Sequence, residues 1–209
     1  MEEIYQEFSF LLHNRLSKKI HTTEDSIRYT FFHCLTNSGQ FLPSDIIVEY
    51  PLKHRDEHNM EGSSKNSHEK IDTYIPPKND KIGLAFEFKY DREIPSGKNS
   101  PKTQNAGSIF NDVFRLASFK REENLHRYFI YVTKKGMATY FNNSQCLADF
   151  FNLPTGTTYN LDQTTFDNLA FSFRNKVKTF VPCTIIGVFK YNNAPDFWLR
   201  IYEIIPLSH

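Results

Sequence analysis

Cysteine is scarce in this sequence, and its spacing excludes the common uses of cysteine pairs. The three cysteines, Cys34, Cys146 and Cys183, lie far apart and form neither a CxxC pair nor a zinc-finger spacing. We therefore expect reduced and mostly buried thiols, without a disulfide framework or a zinc site.

Long apolar runs are also missing. No stretch approaches the ~18 consecutive apolar residues of a membrane-spanning helix. The first residues, MEEIYQEFSFLLHNRL, begin with acidic side chains, and their short apolar run is broken by His13. A signal peptide has a basic start and a longer apolar stretch, so this segment predicts a helix instead. We expect a cytoplasmic protein that does not enter a membrane.

The sequence has no marked excess of charge of either sign. Its 25 Lys and Arg residues against 24 Asp and Glu residues give a formal net charge of +1. The strongly basic balance that is typical of a nucleic-acid-binding protein is therefore absent. A nuclease is still compatible with this total, because such an enzyme places Lys and Arg around an acidic centre. A Gly-rich phosphate loop, a GxSxG elbow and an HExxH helix are absent as well, which narrows the enzyme classes.

The features that are present predict one globular domain over residues 1–209. The sequence is 39% hydrophobic and 15% aromatic, which is typical of a folded chain of this length and not of a disordered one. Two polar stretches, His54–Glu69 and Asp91–Thr103, are rich in Ser, Asn, Lys and Gly and predict mobile loops.

Periodicity predicts an alternation of helices and strands. Besides the N-terminal helix, helices are predicted over about 23–36, 104–120, 145–151 and 166–178. Strands are predicted over 45–52, 69–75, 82–90, 127–133, 184–191 and 197–205. This mixture, with two hairpins, predicts an α/β fold with a mixed central β-sheet flanked by helices.

The strands at 69–75 and 82–90 carry the most informative polar residues. Both alternate between apolar and polar positions, and a hairpin centred on Asn79-Asp80 aligns their apolar faces and sets Asp72 directly opposite Glu87. Two facing carboxylates repel each other. A cation between them removes the repulsion, and one or two carboxylates with retained water are the usual ligands of Mg²⁺.

These residues resemble the PD-(D/E)XK pattern of restriction-endonuclease-like nucleases. Asp72 follows an apolar residue, Ile71, which stands in place of the proline, and Glu87-Phe88-Lys89 follows after fourteen intervening residues. A helix before these strands, a helix after Glu87-Phe88-Lys89 and then a further strand also match the family. The resemblance spans about 22–134 and implies a restriction-endonuclease-like core. Residues 135–209 are interpreted as an extension of the same domain.

The resemblance implies a role for each site residue. Asp72 and Glu87 would ligate Mg²⁺, or Mn²⁺ as a substitute, together with the Phe88 backbone carbonyl. Lys89 would position or activate the attacking water and offset charge on the phosphate. Glu24, at the start of the preceding helix and on its inward stripe, would complete the site or support a second ion, although an acidic residue there also favours the helix dipole.

Further residues have both a functional and a structural interpretation. Four lysines near the predicted site could contact phosphates: Lys98, Lys102, Lys134 and Lys135. Gln104 stands where some family members carry a glutamine, and it fits a helix start equally well. Asp112 and Arg115 are interpreted as an exposed helix face.

Two other groups of residues have mainly structural interpretations. His54, His58 and His68, with Asp56 and Glu57, are interpreted as part of a mobile linker rather than as a metal site. For Trp198, Arg200 and Tyr202 we expect a packed hairpin rather than a base-stacking surface.

The predicted function is Mg²⁺-dependent hydrolysis of phosphodiester bonds in DNA by a type II restriction endonuclease or a related defence nuclease. One active site cuts one strand, so double-strand cleavage implies a homodimer or a partner subunit. One alternative is a structure-selective nuclease or the cleavage subunit of a larger complex. Another is a nucleic-acid-binding protein that has the same fold without catalysis. A different α/β binding module is the remaining alternative if Asp72 and Glu87 do not converge.

Overall fold

The computed structural model describes residues 1–52, 70–78, 81–92, 101–119, 124–193 and 197–207. The helices in these residues are α1 (Glu2–Ser17), α2 (Glu24–Asn37), α3 (Lys102–Ser118), α4 (Lys135–Asn143), α5 (Ala148–Phe151), α6 (Gln163–Asp167) and α7 (Phe171–Arg174). The strands are β1 (Ile47–Pro51), β2 (Lys70–Ile75), β3 (Gly83–Asp91), β4 (Leu125–Thr133), β5 (Thr158–Leu161), β6 (Cys183–Asn193) and β7 (Phe197–Pro206). Among the described helices, none is long and apolar enough to cross a membrane.

These strands form one seven-stranded sheet in the order β1-β2-β3-β4-β7-β6-β5. β3 and β4 are parallel, and the other neighbouring pairs are antiparallel. The predicted α/β class and the mixed central sheet are therefore confirmed. The last strand, β7, lies between β4 and β6, so the C-terminal part of the chain completes the sheet that the N-terminal part begins.

Helix α2 begins where the sequence predicts a helix. Thr23 Oγ1 accepts a hydrogen bond from the Ser26 N–H at 3.1 Å, and Ser26 Oγ accepts one from the Thr23 N–H at 3.2 Å. This reciprocal cap satisfies two N–H groups that a helix start leaves without helical partners. It also holds Glu24 in the first turn, where its carboxylate reaches the Tyr90 N–H near the end of β3.

Each face of the sheet carries an apolar core. Phe86 and Phe88 of β3 belong to the core beside α1 and α2, where both rings contact Phe31. Ala85 belongs to the core beside α3, together with Ile109. The predicted alternation of β3 is therefore confirmed, and it directs Glu87 and Lys89 toward α3.

Strand β2 does not keep the strict alternation that its sequence predicts. Ile75 belongs to the core beside α2, whereas Ile71 belongs to the core beside α3. The irregularity falls where the pairing of β2 with β3 ends, just beyond Thr73 and Phe86. Asp72 lies at this point, so its side chain is placed by the irregular end of the strand and not by a continuous ladder.

The helices between β4 and β6 differ from the prediction. The prediction of a single helix over 166–178 is wrong, because the chain forms α6 and α7 with a turn at 168–170 between them. This turn allows the backbone of α7 to approach α3 closely. The predicted helix at 145–151 is confirmed only over Ala148–Phe151, and α4 and β5 were not predicted.

The final hairpin is packed, as expected. Arg200 Nε donates to the Phe151 carbonyl at 2.7 Å, and its guanidinium lies 4.5 Å from the centre of the Phe151 ring. The Tyr202 hydroxyl donates to the Phe150 carbonyl at 3.1 Å. These side chains are buried and therefore are not a surface for stacking bases.

Candidate functional site

The two predicted metal ligands lie where the β2–β3 ladder ends. Thr73 pairs with Phe86 in this antiparallel ladder, and Asp72 and Glu87 are the next residues beyond that last pair. Asp72 Oδ2 accepts a hydrogen bond from the Phe88 N–H at 2.9 Å. The direct opposition of these two carboxylates stays a prediction, because the pairs of the ladder end at Thr73 and Phe86. Asn79 and Asp80, the predicted turn centre, lie outside the described residues.

Glu87 is the most deeply buried carboxylate of the site, with a side-chain exposure of 2%. Its Oε1 forms an ion pair with Arg115 Nη2 of α3. Its Oε2 is buried and has no hydrogen-bond partner among the described residues. A buried acceptor without a partner is costly, so this oxygen is suited to a water molecule or a cation.

Lys89 lies two residues beyond Glu87, on the same face of β3. Its Nζ is 3.2 Å from Asp112 Oδ2 and 3.8 Å from Glu24 Oε2. Burial alone would lower the pKa of Lys89, but the carboxylates of Asp112 and Glu24 outweigh this effect and raise the pKa above its ordinary value. Lys89 is therefore a cation at neutral pH.

Asp112 and Arg115 of α3 belong to this site, and their interpretation as an exposed helix face is wrong. Asp112 is buried, and Arg115 Nη1 lies 3.1 Å from Asp112 Oδ1. Burial raises the pKa of Asp112 to about 6, although the Lys89 ammonium lowers it in part. The sequence contains a signal for this placement, because Asp112 borders the apolar stripe of α3 at helical spacing.

Helix α2 supplies the second side of the site. Glu24 Oε2 accepts a hydrogen bond from the Tyr90 N–H at 3.0 Å, so the expected inward position of Glu24 is observed. Arg28, one helical turn later, places Nη1 3.4 Å from Asp72 Oδ1. Arg28 is not among the residues that the sequence predicts for the site. Its spacing of four residues from Glu24 is the signal that places both on one face of the helix.

These side chains form one charge network with four carboxylates and three cations. Its members are Glu24, Asp72, Glu87, Asp112, Arg28, Lys89 and Arg115. Arg28 also pairs with Asp25 and lies 3.9 Å from a Glu49 oxygen, so carboxylates outnumber the cations at this site. Burial raises the pKa of Asp72 more than the Phe88 N–H and Arg28 lower it.

The arrangement fits the Mg²⁺ ion that the resemblance implies. Mg²⁺ is usually held by one or two carboxylates and several retained waters. Asp72 and Glu87 supply two carboxylates on facing strands, and Glu87 Oε2 is an acceptor without a partner among the described residues. In this part of the chain, no group of three or more His, Cys, Asp or Glu side chains is arranged to hold a metal. The donors at this site are carboxylate oxygens, which suit a hard ion such as Mg²⁺ better than a soft transition metal.

The remaining predicted residues lie at the ends of helices or outside the described part of the chain. Lys102 is exposed at the start of α3, and Gln104 lies two turns before Asp112 on the same stripe of that helix. Lys134 follows β4, where its N–H bonds the Asp91 carbonyl at 3.4 Å, and Lys135 is exposed at the start of α4. Lys98 lies outside the described residues, as does the histidine-containing segment from His54 to His68.

Comparisons of the chain with protein-family models, with curated protein sequences and with solved structures find no match. The geometry and the chemistry of the site itself are therefore the basis on which its function is inferred.

Proposed function

We propose that this protein is a Mg²⁺-dependent DNA endonuclease of the restriction-endonuclease-like type, with Asp72, Glu87 and Lys89 as its active site. One observation carries the proposal: Asp72, at the end of the β2–β3 ladder, accepts a hydrogen bond from the Phe88 N–H at 2.9 Å, between Glu87 and Lys89 of the neighbouring strand. The order of elements α2, β1, β2, β3, α3 and β4 supports it, because the resemblance implies a helix before the strands, a helix after them and then a further strand.

Asp72 and Glu87 would hold the metal ion, with the Phe88 carbonyl and Glu24 as further oxygen donors. When bound, Mg²⁺ stabilises negative charge on the phosphate and lowers the pKa of a bound water. Glu87 can offer Oε2 while Oε1 stays paired with Arg115. Arg115 therefore orients the Glu87 carboxylate without occupying both of its oxygens.

Lys89 would act as a cation. Its raised pKa keeps the ammonium protonated at neutral pH, so it cannot accept a proton from the attacking water in this state. It instead orients that water and offsets the charge on the scissile phosphate. Asp112 and Glu24 position the ammonium from two sides, which limits its movement away from Glu87.

The proposed enzyme is a type II restriction or related defence nuclease that works as a homodimer or with a partner subunit. The test is cleavage of supercoiled plasmid with Mg²⁺, Mn²⁺ or EDTA by the wild type, Asp72→Ala and Lys89→Ala. Matched controls are Asp149→Ala and Lys190→Ala, because both side chains are exposed and lie outside the charge network.

We expect metal-dependent cleavage that falls at least about 100-fold in both site variants and stays unchanged in the controls. Discrete fragments support sequence-specific restriction. Preferential cleavage of a branched junction over linear duplex supports the structure-selective alternative. Cleavage that survives both site substitutions contradicts the assignment.

One observation favours the non-catalytic alternative. Arg28, Lys89 and Arg115 each pair with a carboxylate of the charge network, so protein cations already balance much of its charge. Calorimetric titration with Mg²⁺ and Mn²⁺ separates the two functions. The nuclease is expected to bind metal with an affinity that Glu87→Gln reduces at least about tenfold. Wild-type protein that binds neither ion supports the non-catalytic alternative.

A further inference from the structure

A cavity of about 380 Å³ lies where the α1–α2 connection meets the ends of β3 and β4. Lys19, His21 and Thr22 line it from the connection, while Arg92 and Lys134 line it from the residues that follow the two strands. None of these lining residues belongs to the charge network. The cavity is therefore a separate feature at the same end of the sheet.

The cavity is strongly basic, although the chain as a whole is not. Lys19, His21, Arg92 and Lys134 line it, and none of the described residues in its wall is acidic. The sequence contains 25 Lys and Arg residues against 24 Asp and Glu residues, so a random sample of side chains would contain both signs. The local charge therefore reflects the fold and favours an anionic ligand.

Two of these cations are neighbours because of the parallel β3–β4 pair. Asp91 pairs with Thr133, and the next residue along each strand is Arg92 or Lys134. The Lys134 N–H bonds the Asp91 carbonyl at 3.4 Å, which keeps the two strand ends together. Like charges on adjacent strands repel each other. An anion between them would remove this repulsion.

Lys19 occupies an unfavourable backbone conformation at the cavity wall. Its φ is 55°, in the left-handed region, where the chain leaves α1 and where glycine is the usual residue. The connection is fixed around it, because Arg15 donates to Thr22 Oγ1 at 3.1 Å and to the His21 carbonyl at 2.9 Å. The sequence thus places a lysine where local geometry favours glycine, as it also places Glu49 at a φ of 54°. At Lys19 this conformation holds a positive charge at the cavity wall at a cost in backbone strain.

The cavity adjoins the proposed active site through two shared segments. Tyr90 lines the cavity, and its N–H is bonded to Glu24. Thr22 also lines the cavity and precedes Glu24 by two residues. An anion in the cavity would therefore lie near the charge network, on the far side of Glu24 and Tyr90.

We propose that this cavity binds a phosphate group of the nucleic-acid substrate, one that is not the scissile phosphate. The inference rests on the proposed nucleic-acid function but adds a second contact point with its own residues. Lys19, Arg92 and Lys134 would donate charge-assisted hydrogen bonds to the phosphate oxygens. The phosphate is either at the 5′ end of a DNA strand or within the sugar–phosphate backbone of the DNA, and both present the same chemistry to the cavity.

The test measures binding of the full chain to two DNA duplexes that differ only in a 5′-phosphate or a 5′-hydroxyl. Fluorescence anisotropy measures the binding, and EDTA in the buffer prevents metal-dependent cleavage. Cavity variants are Lys19→Gln and Lys134→Gln. Matched controls are Lys18→Gln and Lys190→Gln, which remove the same charge from exposed positions outside the cavity wall. We expect about tenfold weaker binding for each cavity variant and less than about twofold for each control.

The two duplexes identify the source of the phosphate. If the wild type prefers the duplex with the 5′-phosphate and the cavity variants lose this preference, the cavity binds the 5′ end of a DNA strand. If the cavity variants weaken binding to both duplexes equally, it binds an internal phosphodiester. Absence of binding by the wild type, or equal effects of cavity and control variants, overturns the inference.

A glycine variant separates binding from folding. Lys19→Gly removes the charge and relieves the left-handed strain. We expect a thermal midpoint at least as high as that of the wild type, together with weaker DNA binding. Because binding is measured in EDTA, it does not depend on cleavage. If the wild type cleaves DNA and the cavity substitutions do not weaken binding, only the inference about the cavity is overturned. If the cavity substitutions weaken binding but the wild type does not cleave DNA, only the proposed hydrolysis is overturned.

Discussion

At the scale of single residues, the buried ion pairs of the charge network are best explained by function. Replacing a buried ion pair with apolar residues of similar volume is often neutral or stabilising, so such a pair is weak evidence of a purely structural role. Here Glu87 and Asp112 are both buried, and each is paired with Arg115. Their position beside Lys89 is consistent with a site that must hold charge at fixed points.

The stability of the protein should depend on pH through Asp112. The pKa of this carboxyl is about 6 in the folded protein and 3.8 as an ordinary value, so the folded state binds the proton more tightly than the unfolded chain. Protonated Asp112 therefore favours the folded state at low pH, and this contribution to the free energy of unfolding is lost as pH rises from about 4 to about 6. Relative to the wild type, Asp112→Asn should gain stability over this range by an amount on the order of 3 kcal/mol.

Urea unfolding in EDTA, from about pH 4 to about pH 7, measures this difference. The comparison with Asp112→Asn removes the contributions of other titrating groups, because both proteins share them. Asp149→Asn serves as the control, since Asp149 is exposed. A difference between wild type and Asp112→Asn that stays constant with pH contradicts the assignment.

At the scale of elements, the contact between α3 and α7 depends on Gly107. A Cβ at this position would collide with the Phe173 carbonyl oxygen and lie 3.0 Å from Lys176 Cβ. Intrinsic helix propensity predicts that Gly107→Ala stabilises α3 by about 1 kcal/mol, whereas the collision predicts a loss of about 1–3 kcal/mol. We expect the collision to dominate, because backbone atoms cannot move as a flexible side chain can.

The measurement is the free energy of unfolding in urea. Ser108→Ala is the matched control, since Ser108 Oγ bonds only the Gln104 carbonyl of its own helix in the contacts described. The control should change stability by less than about 0.5 kcal/mol. If Gly107→Ala is more stable than the wild type, α7 does not approach α3 as described.

The sequence predicted elements well where periodicity and end signals agree. Thr22 or Thr23 as a cap, with the apolar stripe that follows, predicted α2, and the alternation in 82–90 predicted β3. It predicted the region 135–178 poorly, because short elements rich in Phe show no distinct period. There the turn at 168–170 depends on the packing of Phe173 against α3, which is a contact distant in sequence.

At the scale of the whole molecule, the position of β7 makes the C-terminal residues part of the central sheet. β7 pairs with β4 on one side and with β6 on the other. The core beside α3 also includes Phe150, Phe173 and Tyr202 from this part of the chain. Residues 22–134, over which the family resemblance extends, should therefore not fold alone, because β4 would lack a partner and this core would be open to water.

Circular dichroism with thermal unfolding tests this prediction on a fragment of residues 22–134. We expect no cooperative transition, whereas a chain that ends at Leu207 and keeps all of β7 should unfold cooperatively. A cooperative transition in the fragment would mean that the first four strands form an independent unit.

Local periodicity in the sequence predicts the α/β class and the alternation of β3, because nearby residues fix both. The opposition of Asp72 and Glu87 rests on the parity of strand pairing and stays a prediction, since the pairs of the ladder end at Thr73 and Phe86. The folded structure alone shows that Asp112 and Arg115 lie beside Glu87 and Lys89, that Arg28 reaches Asp72, and that four basic residues meet in one cavity. These contacts depend on how separate elements pack, and a single sequence does not specify the side on which a helix meets the sheet edge.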